Sequence, residues 1–182
     1  WLRIPGWTSK AELEMDGMTT FVKSGGFHIL EQEWIGEKTF NLKVPMHFCL
    51  VPRPNDLYAL VRGPLVYSLP IGERWIRINE NVPGHEFPHC DYEIFATTPW
   101  NYGLCIDQSK PEGSIIFEEY PVGDCPFSPD GAPVAARVRG RKVKWGMENG
   151  SALPYPQSKS ACGEVEELRL IPYGCTNLRM TE

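Results

Sequence analysis

The chain has 182 residues, of which 42% are hydrophobic and 23% charged, with a formal net charge of −5. That balance is ordinary for a folded protein and excludes wholesale disorder. The acidic surplus excludes a surface built to neutralise a phosphate backbone, so no nucleic acid is expected as a partner. With no apolar run near the roughly 18 residues of a spanning helix, no membrane is expected either.

The first segment, WLRIPGW (1–7), reads as a strand already under way at Trp1, without an initiating Met or a signal peptide. The expectation is an excised piece of a longer protein, whose location in the cell is therefore unread. From there the hydrophobic period is two rather than 3.6. In KTFNLKVPM (38–46), Phe40, Leu42 and Val44 alternate with Asn41 and Lys43, the pattern of a half-buried strand.

AELEMDG (11–17), GFHILEQEW (26–34), LYALVRGPLVYSL (57–69), GSIIFEEYPV (113–122), PVAARVRG (133–140) and EELRLIPYG (166–174) read the same way. Trp34, at the end of its alternating run, is expected in the core. The 17 Gly and 17 Pro punctuate the chain about every five residues, which leaves no room for a capped amphipathic helix.

The expected class is therefore all-β, with two β-sandwich modules packed in tandem: a partial sandwich over 1–69 and a C-terminal sandwich-like module over 70–182. The basic run Arg137 to Lys144 alternates with Val138 and Val143, so it reads as the wet face of a strand. Asn149-Gly150-Ser151 fits a glycosylation acceptor, but Asn-Gly is also a tight-turn dipeptide, and the turn is the preferred reading.

Chemistry is sparse. The six cysteines are spaced 41, 15, 20, 37 and 13 residues apart with no C-x-x-C, too thin for a disulfide framework, so buried free thiols are expected. His85, His89, Cys90 and Asp91 form the one metal-like cluster. Pro83, Gly84 and Pro88 preclude the helix that would put both histidines on one face, and His89 and Cys90 would point to opposite faces of a strand. No metal site is assigned.

Glu31/Glu33 and Glu164/Glu166 are i, i+2 pairs of the kind found along solvated strands. No Gly-x-Ser-x-Gly or phosphate-cradling loop is present. No catalytic residue is assigned. Exposed aromatics remain, because Trp and Tyr can stack on the apolar face of a sugar ring. Trp100, at a Pro-Trp-Asn-Tyr turn, is the leading candidate, with Tyr102 and Trp75 beside it as a coplanar row. DYEIFATTPWNYGL (91–104) itself reads as a strand, a turn capped by the Asn101 side chain, and a second strand.

LRIPGW (2–7), AELEMDG (11–17), GGF (25–27), LKVPM (42–46) and RGPLVYSL (62–69), in this order, resemble the β-sandwich that follows the catalytic barrel in glycoside hydrolase family 127. That group includes the β-L-arabinofuranosidases. TTPWNYGL (97–104), PFSPDGAPV (126–134), VKWGMENGSALPYPQS (143–158) and LIPYGCTNLRMTE (170–182) are similar to the C-terminal module of its larger members.

The resemblance implies a non-catalytic accessory region that packs on and supports an N-terminal (α/α)6 barrel of the same parent chain. Catalysis, with a cysteine nucleophile beside a zinc, would belong to that barrel; no cofactor is implied for this segment. A homodimer contact and an arabinose-containing glycan are the further partners it suggests. The second reading, from a different class, is a carbohydrate-binding module using Trp100, Tyr102 and Trp75.

Overall fold

The computed structural model describes residues 1–181, and the protein is all-β, with 48% of the chain in strands. Its helical segments are single 3₁₀ turns of three residues. The chain divides into two compact units. One comprises Trp1–Cys49 with Val61–Leu65, and the other Leu50–Leu60 with the described chain from Val66 onward. A boundary at 69/70 falls inside a strand, Leu65–Pro70.

The first unit holds β1 (Leu2–Ile4), β2 (Lys10–Met15), β3 (Met18–Lys23), β4 (Gly26–His28) and β5 (Phe40–Lys43). β2 lies between β3 and β5, all antiparallel, and β1 pairs with β4. The β2–β3 link is Asp16-Gly17, both at positive φ (50° and 76°), the geometry that a two-residue hairpin loop requires. Alternation along β2 buries Ala11 and Leu13 while Glu12 and Glu14 face outward, and these join Ile4 and Val22 in a small core. Leu2, Leu30, Phe40, Leu42 and Val44 pack around it.

Trp34 is not in that core: it is 58% exposed, because β4 ends at His28 and the run of alternation after it belongs to no strand.

The rest of the chain supplies β6 (Phe48–Pro52), β7 (Tyr58–Arg62), β8 (Leu65–Pro70), β9 (Glu73–Ile78), β10 (Asp91–Ala96), β11 (Tyr102–Leu104) and β12 (Ile115–Glu119). It continues with β13 (Val134–Val143), β14 (Met147–Glu148), β15 (Ser151–Ala152), β16 (Ala161–Pro172) and β17 (Arg179–Met180). The main sheet has the order β11-β13-β16-β8-β7-β6, curled into a half-barrel, with β12 also on β13 and β17 also on β8. β11 and β12 share one edge of β13, Tyr102 facing Lys142 and Ile115 facing Val138, while β16 takes the other edge.

Inward residues of these strands, Tyr67, Tyr102, Ile115, Ala136, Val138, Val143, Leu168 and Leu170, are buried. Arg137, Arg139 and Arg141 alternate outward on β13, and Arg137 Nε reaches Glu118 at 2.7 Å. Asn149-Gly150, at φ 50° and 78°, turns β14 into β15, so this pair is used as a hairpin turn. Burial of the thiols differs from expectation: Cys175 is buried, Cys90 is intermediate, and Cys49, Cys105, Cys125 and Cys162 are exposed.

Candidate functional site

TTPWNYGL spans the turn from β10 into β11. Thr97 N–H donates to the Gly72 carbonyl and Gly72 N–H donates to Thr98 Oγ1, at 2.8 Å each, tying the start of the turn to the chain that leaves β8. The Asn101 amide does not cap its own turn. It donates at 2.7 Å to the Val143 carbonyl, and Val143 N–H returns a bond to the Asn101 carbonyl at 2.8 Å. The turn, which holds an internal bond from Tyr102 N–H to the Trp100 carbonyl at 3.0 Å, is thus also fastened to the end of β13.

Trp100 is half-buried, with its ring 5.4 Å from that of Trp145 at an interplanar angle of 61°. Trp145 in turn meets Tyr155 at 5.6 Å and 50°, and its indole N–H donates to the Leu153 carbonyl at 2.7 Å. These tilted contacts are the favoured arrangement of aromatic quadrupoles. They make a bent chain of rings, not a flat platform. Nothing local in the sequence linked Trp145 and Tyr155 to Trp100; the link passes through the pairing of β11 with β13.

Tyr102 lies on the buried side, at 7% exposure, and its hydroxyl donates to Glu166 at 2.8 Å. Burial, and then this bond to a carboxylate, push its phenol above the ordinary value. Trp75 is 48% exposed on β9, edge-on to Tyr92 at 5.5 Å, its indole N–H donating to Glu73 at 2.9 Å. Glu73 also accepts from the Leu178 N–H and the Asn177 amide. Burial would raise its pKa, but these three donors together hold it below the usual carboxylate range.

The turn of TTPWNYGL forms one wall of a groove of about 800 Å³. Phe95, Trp100, Met147 and Met180 give it apolar surface, Thr97 and Asn101 give polar atoms, and Lys142 and Arg179 give charge.

The His/Cys cluster resolves differently. His85 Nδ1 bonds Asp91 at 2.7 Å, and the Asn79 amide donates to the same carboxylate oxygen at 2.8 Å. Asp91 is thereby held below its ordinary pKa, by the Asn79 bond first and His85 second. The pair closes the long connection between β9 and β10. Among the described residues no group of three or more His, Cys, Asp or Glu side chains is placed to hold a metal ion. Of the carboxylate pairs, Glu166 is taken by Tyr102 and by Lys142 at 3.5 Å, and Glu31 and Glu33 lie exposed outside any strand.

No family model matches the sequence, and no curated protein does. A solved structure described as a glycoside hydrolase is similar to this chain with a TM-score of 0.48 and 20% identity, covering 97% of this chain and 26% of its own. The chain thus spans about a quarter of that protein's length.

Proposed function

We propose that this chain is a non-catalytic β-sandwich accessory region of a glycoside hydrolase of the family 127, β-L-arabinofuranosidase type, whose role is to pack on and support the parent's catalytic barrel. The observation that carries the reading joins sequence to register. Two of the segments on which the resemblance rests, RGPLVYSL and LIPYGCTNLRMTE, lie more than a hundred positions apart and pair directly with each other. Ser68 faces Ile171 and Tyr67 faces Pro172, and Leu69 faces Met180 beyond them. Motifs that build one seam of a sheet serve architecture, and the bonds spent by Tyr102 and Asn101 in TTPWNYGL are of the same kind.

The first unit also presents Trp1, Phe27, Trp34 and Ile35 to solvent, each more than half exposed. An intrachain domain contact of the usual 600–1,500 Å² would cover such residues.

The test is to produce the parent's N-terminal barrel separately and mix it with this chain. Co-elution on size exclusion, together with a higher melting temperature for the barrel, is the expected result, and Trp34→Asp should weaken it about tenfold or more. Two species that elute independently at micromolar concentration, with the barrel equally stable and active alone, would overturn the reading.

A further inference from the structure

The groove beside Trp100 has a chemistry that the accessory role does not use. Its volume of about 800 Å³ lies in the range typical of small-ligand sites. Among the described residues the charged side chains lining it, Lys142 and Arg179, are both cationic, in a chain whose net charge is −5. Two carboxylates bonded to groove-lining residues carry further donors of their own. Glu166 takes the Tyr102 hydroxyl and pairs with Lys142, while Glu73 takes the Leu178 N–H, the Asn177 amide and the Trp75 indole.

Arg179 is the better-prepared cation. Its Nη1 donates to the Tyr173 carbonyl at 3.0 Å and the Thr176 carbonyl at 2.8 Å, and its guanidinium carbon lies 3.8 Å from the centroid of the Tyr173 ring. These uncharged partners fix the guanidinium without cancelling its charge. A guanidinium has five N–H donors in a rigid fork that matches a carboxylate. Trp100 lines the same groove, braced edge-on by Trp145 on a turn anchored through Asn101, so its position is set before any ligand arrives.

An apolar ring face, hydroxyl and amide groups at Thr97 and Asn101, and a held cation together match one chemical class. We propose that this groove binds a carboxylate-bearing glycan, a uronic-acid oligosaccharide, whose sugar ring lies against Trp100 and whose carboxylate is taken by Arg179 with Lys142 alongside. The proposal stands on the groove alone and survives or fails independently of the accessory role. It differs from an arabinose-containing glycan in requiring a negative charge on the ligand.

Tryptophan fluorescence of the whole chain, titrated with trigalacturonate in 0.15 M NaCl, reads the site. Arabinotriose serves as a neutral sugar, and citrate as an anion without a sugar ring. A saturable change with trigalacturonate only, weakened about tenfold or more in Arg179→Gln, is expected, because a hydrogen bond to a charged group is worth roughly 1.5–3 kcal/mol. Should that variant melt early through loss of its two carbonyl bonds, Lys142→Gln decides, with a smaller weakening expected. A flat titration, equal binding of arabinotriose or citrate, or full affinity in a folded Arg179→Gln would each overturn the proposal.

Discussion

Burial of Tyr102 beside β13 gives its hydroxyl a carboxylate partner, Glu166 at 2.8 Å. A phenylalanine there keeps the ring and its packing and loses the bond. Tyr102→Phe should therefore cost about 1–2 kcal/mol in urea unfolding, with the slope of the transition unchanged. A loss near that of a large core truncation, 3–5 kcal/mol, would mean that the hydroxyl organises more than Glu166.

At this scale the sequence was legible in part. The turn at Trp100 was legible, but its half-burial and the fates of Trp34, Trp145 and Tyr155 were not. Whether an aromatic is buried depends on which strand passes over it, and that is settled by residues far along the chain.

In the β9–β10 hairpin one carboxylate ties the long connection to the ladder. Asp91 accepts from Asn79 and is bonded to His85, and its folded pKa is depressed. A carboxylate with a depressed folded pKa stabilises fully above its unfolded value, and the contribution is lost as pH falls through the folded one. Protection of the His85 and His89 amides relative to their intrinsic exchange rates, each amide being bonded within the connection, should therefore fall as pH drops below the ordinary aspartate range. Asp91→Ala should show the lowered protection already at pH 7 and no acid step. An unchanged acid step in that variant would assign the effect to another group.

Elements were the most legible level. Period-two alternation located β2, β5, β8, β12, β13 and β16, and Asn149-Gly150 gave a turn, because each is decided by neighbouring residues. GFHILEQEW alternates equally well, yet only Gly26–His28 finds a strand to pair with. Alternation reports compatibility with a sheet; it does not supply the partner.

For the whole molecule, the two units have separate cores, with Ile4, Ala11, Leu13 and Val22 in the first and Ala132, Ala135, Ile171 and Cys175 among the buried groups of the second. Leu13→Ala should remove about 2–5 kcal/mol from the first unit. Hydrogen exchange should quicken in β2, β3 and β5 and stay unchanged in β13 and β16, as expected of sub-global unfolding. Uniform acceleration through both units would make the chain a single cooperative body. The all-β class was readable from punctuation and period, but the division was not. The stretch from β6 to β8 alternates between the units, and no local signal marks where Leu50–Leu60 leaves one core for the other.

The pairing of Ser68 with Ile171 spans a sequence separation of 103. Closing such a loop costs about 2 kcal/mol more chain entropy than closing one roughly tenfold shorter. The β14–β15 hairpin nests inside the connection of β13 to β16, so that half of the sheet can assemble from near neighbours. The seam to β8 has two residue pairs from β16 and two from β17, and must wait for both sides. High contact order of this kind makes folding slow and places the seam late on the path. Ile171→Val, worth about 0.5–1.5 kcal/mol, should then appear almost wholly in the unfolding limb of a chevron plot, with the refolding limb unmoved. The two distant segments that mark the chain's resemblance would be the last to meet as it folds and the first to part.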